Sequence, residues 1–152
     1  MNETRRKILN ASAGLGMLGW ARVVSAAGDG YDIALAVAIK RYVGDATVRT
    51  GKVKLEVAEL VENGNTVPLS VTVESPMTAT EYVKSIAIFN ERNPQRDVIR
   101  FALGPRCGRA TVATRIRLAT TQKLVAIAQL NDGSYWSHSA DVIVTLAACV
   151  ES

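Results

Sequence analysis

The chain has 152 residues, with 18 Lys and Arg against 14 Asp and Glu, a formal net charge of +4. Glu3, Arg5, Arg6, Lys7 and Arg22 all precede residue 28 and leave 14 basic and 13 acidic residues behind them; no concentrated cationic surface remains to release counterions from phosphates, which excludes a nucleic-acid reading based on charge. One His and two Cys are too few for a zinc site built of Cys and His, they exclude a pair of catalytic histidines, and 5% aromatics leave little for stacking platforms.

Residues 1–27 read as an export signal. MNETRRK carries the charge, residues 8–24 are apolar but interrupted by Asn10, Ser12, three glycines and Arg22, and Ser25-Ala26-Ala27 supplies small side chains for a signal peptidase. The stretch is shorter and more dilute than the ~20 apolar residues a membrane span needs. Arg5-Arg6 followed by Lys7-Ile8-Leu9 resembles the twin-arginine motif. The expected mature chain begins near Gly28, in an oxidising compartment.

Residues 31–43 are rich in Ala and Leu and lack Gly and Pro. They predict one short helix, with Asp29 or Asp32 to cap its start and Gly44 to stop it. Beyond Gly44 the period changes. Val53–Val57 and Val67–Val73 alternate apolar and polar, with Asn63-Gly64 between them as a hairpin signal. Residues 82–89, 98–103, 110–119, 123–130 and 141–146 complete seven or so short strands separated by Asn93-Pro94, Gly104-Pro105 and Asn131-Asp132-Gly133. This spacing predicts a mainly β protein, an antiparallel, immunoglobulin-like β-sandwich over residues 28–146 with a short N-terminal helix. A tail, residues 147–152, follows the last strand.

Few residues offer chemistry. His138 has no Ser or acidic companions in triad spacing and reads as a strand-edge polar residue. Arg115 and Arg117 share one face of their strand, as solvated charges or a partner surface. Trp136 reads as an anchor in core or interface. Cys149, fourth from the end, lies on a tether where a thiol acts as nucleophile or carries a covalent group. Cys107 lies in the turn Gly104–Gly108. A Cys107–Cys149 disulfide would close a loop of about 43 residues, worth ~4 kcal/mol in the chain-entropy model. On the residues alone, bridge and carrier thiol both stand.

Several segments, in order, resemble the SoxY family of sulfur-oxidation carrier proteins: Gly51-Lys52-Val53-Lys54-Leu55, Glu62 through Pro68, Ser75-Pro76-Met77-Thr78, Tyr82-Val83-Lys84, Asn93-Pro94, Thr114 through Ala119, Asp132-Gly133-Ser134 and finally Cys149. The similarity runs through residues 31–149. It implies an immunoglobulin-like sandwich that is a carrier and not an enzyme, without cofactor or metal of its own. It implies a heterodimer with a SoxZ-like companion subunit, and Cys149 as the residue that bears sulfur. By the same resemblance a periplasmic Sox cytochrome joins thiosulfate or a related sulfur compound to that thiol, a hydrolase releases sulfate, and a sulfane dehydrogenase oxidises the sulfur that remains. The tail departs from the family's Gly-Gly-Cys-Gly-Gly. Ala147, Ala148, Val150 and Glu151 around Cys149 make the carrier arm stiffer, wider and more anionic than glycine would. Cys107 is a second thiol to which the family gives no role. The alternative is an exported interaction module, a diverged paralogue in which Cys107 and Cys149 form a structural or redox disulfide.

Overall fold

The computed structural model describes residues 30–148. The export signal over residues 1–27, Asp29, and Cys149, Val150 and Glu151 of the arm lie outside the described residues. A helix, α1 (Gly30–Val43), is followed by nine strands: β1 (Val48–Thr50), β2 (Val53–Val57), β3 (Leu60–Asn63), β4 (Val67–Val73), β5 (Val83–Asn90), β6 (Asp97–Ala102), β7 (Thr111–Ile116), β8 (Gln122–Leu130) and β9 (Tyr135–Leu146). Gly44, at φ +65°, closes the helix with its N–H on the Lys40 carbonyl at 2.9 Å.

One sheet runs β1-β9-β8-β5-β6, with β3 also on β9; the other runs β2-β4-β7. The two sheets make the expected mainly β sandwich. Its central pairings β9-β8-β5-β6 and β2-β4-β7 are antiparallel, whereas β1 and β3 both pair parallel with β9, sharing its outer edge. These two short strands escape the sequence reading because neither offers a full alternating pattern. β9 also begins six residues earlier than its apolar 141–146 segment. Its first half, with Ser137, His138 and Ser139, is polar because β8 and β1 on its two edges satisfy its backbone whatever its side chains are.

The alternation of β5 and β8 explains the third layer. Ile86, Ile88, Leu124, Ala126 and Ala128 point into the core between the sheets; Ala87, Phe89, Val125 and Ile127 point the other way, where Leu35 and Val43 of α1 cover them. Both faces of these strands are buried, so their sequences read as continuous apolar runs. Each fully buried Ile, Leu or Phe contributes ~1.5–3 kcal/mol. Tyr42 of the helix stands 5.7 Å from the Phe89 ring, and its hydroxyl shares a 2.7 Å hydrogen bond with Ser85.

The Asn63-Gly64 turn is not the hairpin its sequence suggests. It carries the chain from β3 on one sheet to β4 on the other, and Gly64 has no positive φ. The glycine answers a different need, a close approach described next.

Candidate functional site

The C-terminal tail leaves the body where three backbone segments meet. At the end of β9 the Leu146 carbonyl accepts the Gly64 N–H at 2.9 Å; the Gly64 carbonyl accepts the Leu118 N–H at 2.8 Å; the Leu118 carbonyl accepts the Ala148 N–H at 3.2 Å. Gly64 is buried within this arrangement. A Cβ on it would lie 2.3 Å from the Leu118 oxygen and 3.0 Å from the Ala148 nitrogen, both backbone atoms. Only glycine lets the three segments pass this closely.

Leu118 is held from two sides. Its side chain is fully buried between the sheets. Its flanks are tied to the loop after β5 through amide side chains. Asn93 donates from Nδ2 to the Arg117 carbonyl at 2.7 Å, and its Oδ1 accepts the Ala119 N–H at 3.0 Å and Gln122 Nε2–H at 2.7 Å. Gln122 and Asn90 are buried and spend their remaining polar atoms on the same loop, on the Arg92 N–H and on the Gln95 carbonyl. Buried amides with satisfied partners fix a loop's shape, since each loses ~1–3 kcal/mol if left unpaired.

Leu146 and Ala147 are exposed, yet Ala148 is buried at 6% exposure. The last described residue of the arm is therefore seated on the body, and Cys149 follows it by one peptide link. Cys107 lies at the opposite end of the sandwich. It closes a short 3-10 turn, Pro105–Cys107, as an exposed free thiol whose Sγ is 3.5 Å from the Gly104 nitrogen. The turn joins β6 to β7 beside the start of β5 (Leu103 N–H on the Lys84 carbonyl, 2.8 Å), while Leu118 and Ala148 lie past the other end of β7. The six residues of β7 alone span ~17 Å, and a disulfide holds its Cα atoms within ~7 Å. A bridge to the residue after Ala148 is out of reach while Ala148 is seated.

The other residues singled out by sequence are dispersed. Arg115 on β7 and Arg117 just beyond it are both exposed, opposite the buried Ile116 and Leu118, as the alternation predicts. His138 lies on β9, where its Nδ1 accepts the Leu55 N–H of β2 at 3.2 Å, a link between the sheets at the gap between β1 and β3. Trp136 packs partly buried against the core; Arg49 and Lys52 lie 5.6 and 5.4 Å from its ring centroid, and its Nε1–H reaches Ser134 Oγ at 3.1 Å. Among the described residues no group of three His, Cys, Asp or Glu is placed to hold a metal ion. No helix among them is long and apolar enough to cross a membrane. Sequence reasoning misses the parts that build the arm's root. Gly64 reads as a turn glycine and Asn93 as a strand terminator; the available signal is the pair of amides, Asn90 and Gln122, set at the ends of two apolar runs.

The model of the family described as sulfur oxidation protein SoxY matches residues 39–149, ending on Cys149. The chain belongs to the SoxY family. Among solved structures it resembles the sulfur carrier protein SoxY from Chlorobium limicola f thiosulfatophilum, at 28% identity and a TM-score of 0.64, over 76% of this chain and 99% of that one. It also resembles a superoxide reductase (neelaredoxin) from Ignicoccus hospitalis, at 22% identity and a TM-score of 0.55, over 62% of this chain and 80% of that one. A putative superoxide reductase from Thermotoga maritima is 22% identical, with a TM-score of 0.53, over 68% of this chain and 89% of that one. The two reductase likenesses concern the sandwich alone. No curated protein matches the sequence. Membership in SoxY supports a sulfur-carrier role in sulfur oxidation.

Proposed function

We propose that the protein is a periplasmic sulfur carrier, exported by the twin-arginine route, that holds thiosulfate-derived sulfur on Cys149 and presents it to Sox enzymes. The observation that carries this reading is the family match running to Cys149, three residues beyond the end of the last strand at Leu146. In the loading step a bond forms between Cys149 Sγ and the terminal sulfur of thiosulfate. The thiol proton is released, and the two electrons leave one at a time, to one-electron acceptors that the partner cytochrome would supply. The product is a cysteine S-thiosulfonate. Water then cleaves the sulfur–sulfonate bond in the hydrolase, leaving a persulfide on Cys149 and releasing hydrogen sulfate. The sulfane dehydrogenase takes electrons from the sulfur that remains. This chain's part is to supply a thiolate, the soft anion such bonds require, and to hold it on a short tether.

A SoxZ-like companion subunit belongs to the same reading. It is supported by Leu60 and Ile143, direct partners across β3 and β9 that stand 59% and 55% exposed, an apolar pair beside the arm end of the sandwich. Sedimentation of the mature chain alone and with its companion tests this; a monomer indifferent to the companion would sink it.

Intact mass tests the carrier itself. Protein exposed to thiosulfate and its cytochrome partner should gain a thiosulfonate-sized adduct, as should Cys107→Ser, whereas Cys149→Ser should gain none. An adduct that survives Cys149→Ser would overturn the assignment.

A further inference from the structure

The seat of Ala148 is more than the end of a strand. Leu146 and Ala147 are exposed while Ala148, further along the tail, is buried and hydrogen-bonded through its N–H to Leu118. The carbonyl it uses is fixed by a core side chain and by the Asn93 amide on both flanks. Gly64 makes room for it, since a side chain there would strike the Leu118 oxygen and the Ala148 nitrogen. The body is therefore rigid up to the seat. The attachment of Ala148 itself is slight, one backbone hydrogen bond and one methyl group.

We propose that Gly64, Leu118 and Ala148 form a latch at the root of the carrier arm, with Gly64 and Leu118 as positioning residues that set how far Cys149 extends from the body. The inference rests on the sulfur-carrier reading. With Ala148 seated, one peptide link of ~3.8 Å separates the seat from the Cα of Cys149. With Ala148 released, the chain is anchored at Leu146, and residues 147–149 extend to ~10 Å. The seated state keeps the thiol and its cargo beside the body, and the released state passes it into a recessed site on another protein. Because a single hydrogen bond and a methyl hold it, either contributes no more than about a tenfold preference for the seated state, and docking of a partner can open it.

The test uses full-length mature protein carrying Cys107→Ser, so that Cys149 is the sole thiol. Its alkylation is timed with N-ethylmaleimide and with a polyethylene-glycol maleimide, and exchange of the residue 148 N–H is followed by NMR. Ala148→Gly keeps the N–H but removes the methyl. It should speed the bulky reagent by ~3- to 10-fold, speed the small one less, and leave the melting temperature in place. Ala148→Ser, which restores a small side chain, should return the ratio of the two rates to that of the parent. Gly64→Ala should mimic Ala148→Gly at some loss of stability, and because its clash is with backbone, the Ala148 variants decide. An unchanged ratio in Ala148→Gly, or an amide at 148 in the parent that exchanges as fast as an unstructured peptide, would overturn the latch. Neither result depends on sulfur loading. Failure of the carrier reading appears separately, as the absence of any adduct on Cys149 in every variant.

Discussion

At the end of the sandwich where β9 begins, Cys107 occupies an exposed turn between Gly104 and Gly108, tied at both flanks to strands. At the end where β9 finishes, the chain reaches Cys149 through a buried glycine, a fully buried leucine and a seated alanine. The first thiol sits within a turn closed on both sides, whereas the second follows by one residue an alanine seated on a buried glycine and a buried leucine. A thiol in a closed turn has the reach of its own side chain, while one on a terminal tether has the reach of the tether. The architecture thus separates two residues that composition alone could not.

The largest effect that would test this contrast is on stability. Leu118→Ala removes a side chain with no exposure from the core beneath the arm and should cost ~2–5 kcal/mol. Cys107→Ser, in its exposed turn, should change stability by no more than ~0.5 kcal/mol. Thermal melting reads both. A disulfide protein would behave otherwise: Cys107→Ser and Cys149→Ser would each lose the same ~2–4 kcal/mol, and such matching losses would erase the distinction between the ends.

A sharper version uses one substitution at two glycines. At Gly64 an added methyl meets the Leu118 carbonyl at 2.3 Å, so Gly64→Ala should cost ~1–3 kcal/mol. At Gly104, beside Cys107, an added methyl meets nothing within 4 Å and the backbone is already extended at φ −151°. Gly104→Ala should be neutral to within ~0.5 kcal/mol. Equal denaturant midpoints for the two variants would show that the arm's root is looser than its geometry.

Much of this is legible in the sequence, for definable reasons. The strands with clear alternation, Val53–Val57 and Val67–Val73, stand at their expected bounds because one of their faces is buried and the other wet. The helix stands where expected because Gly44 stops it where the Ala-rich run ends. The family is readable from ordered motifs. The seat is not, because it is made of backbone. The Leu118, Gly64 and Ala148 hydrogen bonds use N–H and C=O groups that every residue carries. The Asn-Gly signal misleads for a related reason. It marks a place where side chains are unwelcome, and here the unwelcoming neighbour is a carbonyl from another segment and not the turn's own twist.

The smallest effect concerns charge at the Cys107 end. Asp132, in the turn between β8 and β9, accepts the Ser134 N–H at 2.8 Å and the Ser134 hydroxyl at 2.7 Å, and that hydroxyl oxygen in turn receives Trp136 Nε1–H. These bonds, from the Ser134 hydroxyl first and its N–H second, hold the Asp132 carboxyl below the usual aspartate range. The folded chain thus favours the charged form more than the unfolded chain does. The resulting stability is fully present above the ordinary carboxylate pKa of ~4 and declines as pH falls below it. Solvent exposure keeps it small. Asp132→Asn should melt slightly below the parent at neutral pH, and the gap should narrow as the pH falls below ~4. The seat at the other end is built from backbone amides, which do not titrate, so protection of the Ala148 N–H should persist over the range in which the Asp132 effect fades. A gap between parent and Asp132→Asn that stays constant down to pH ~3 would show that Ser134 binds the shape of the side chain and not its charge.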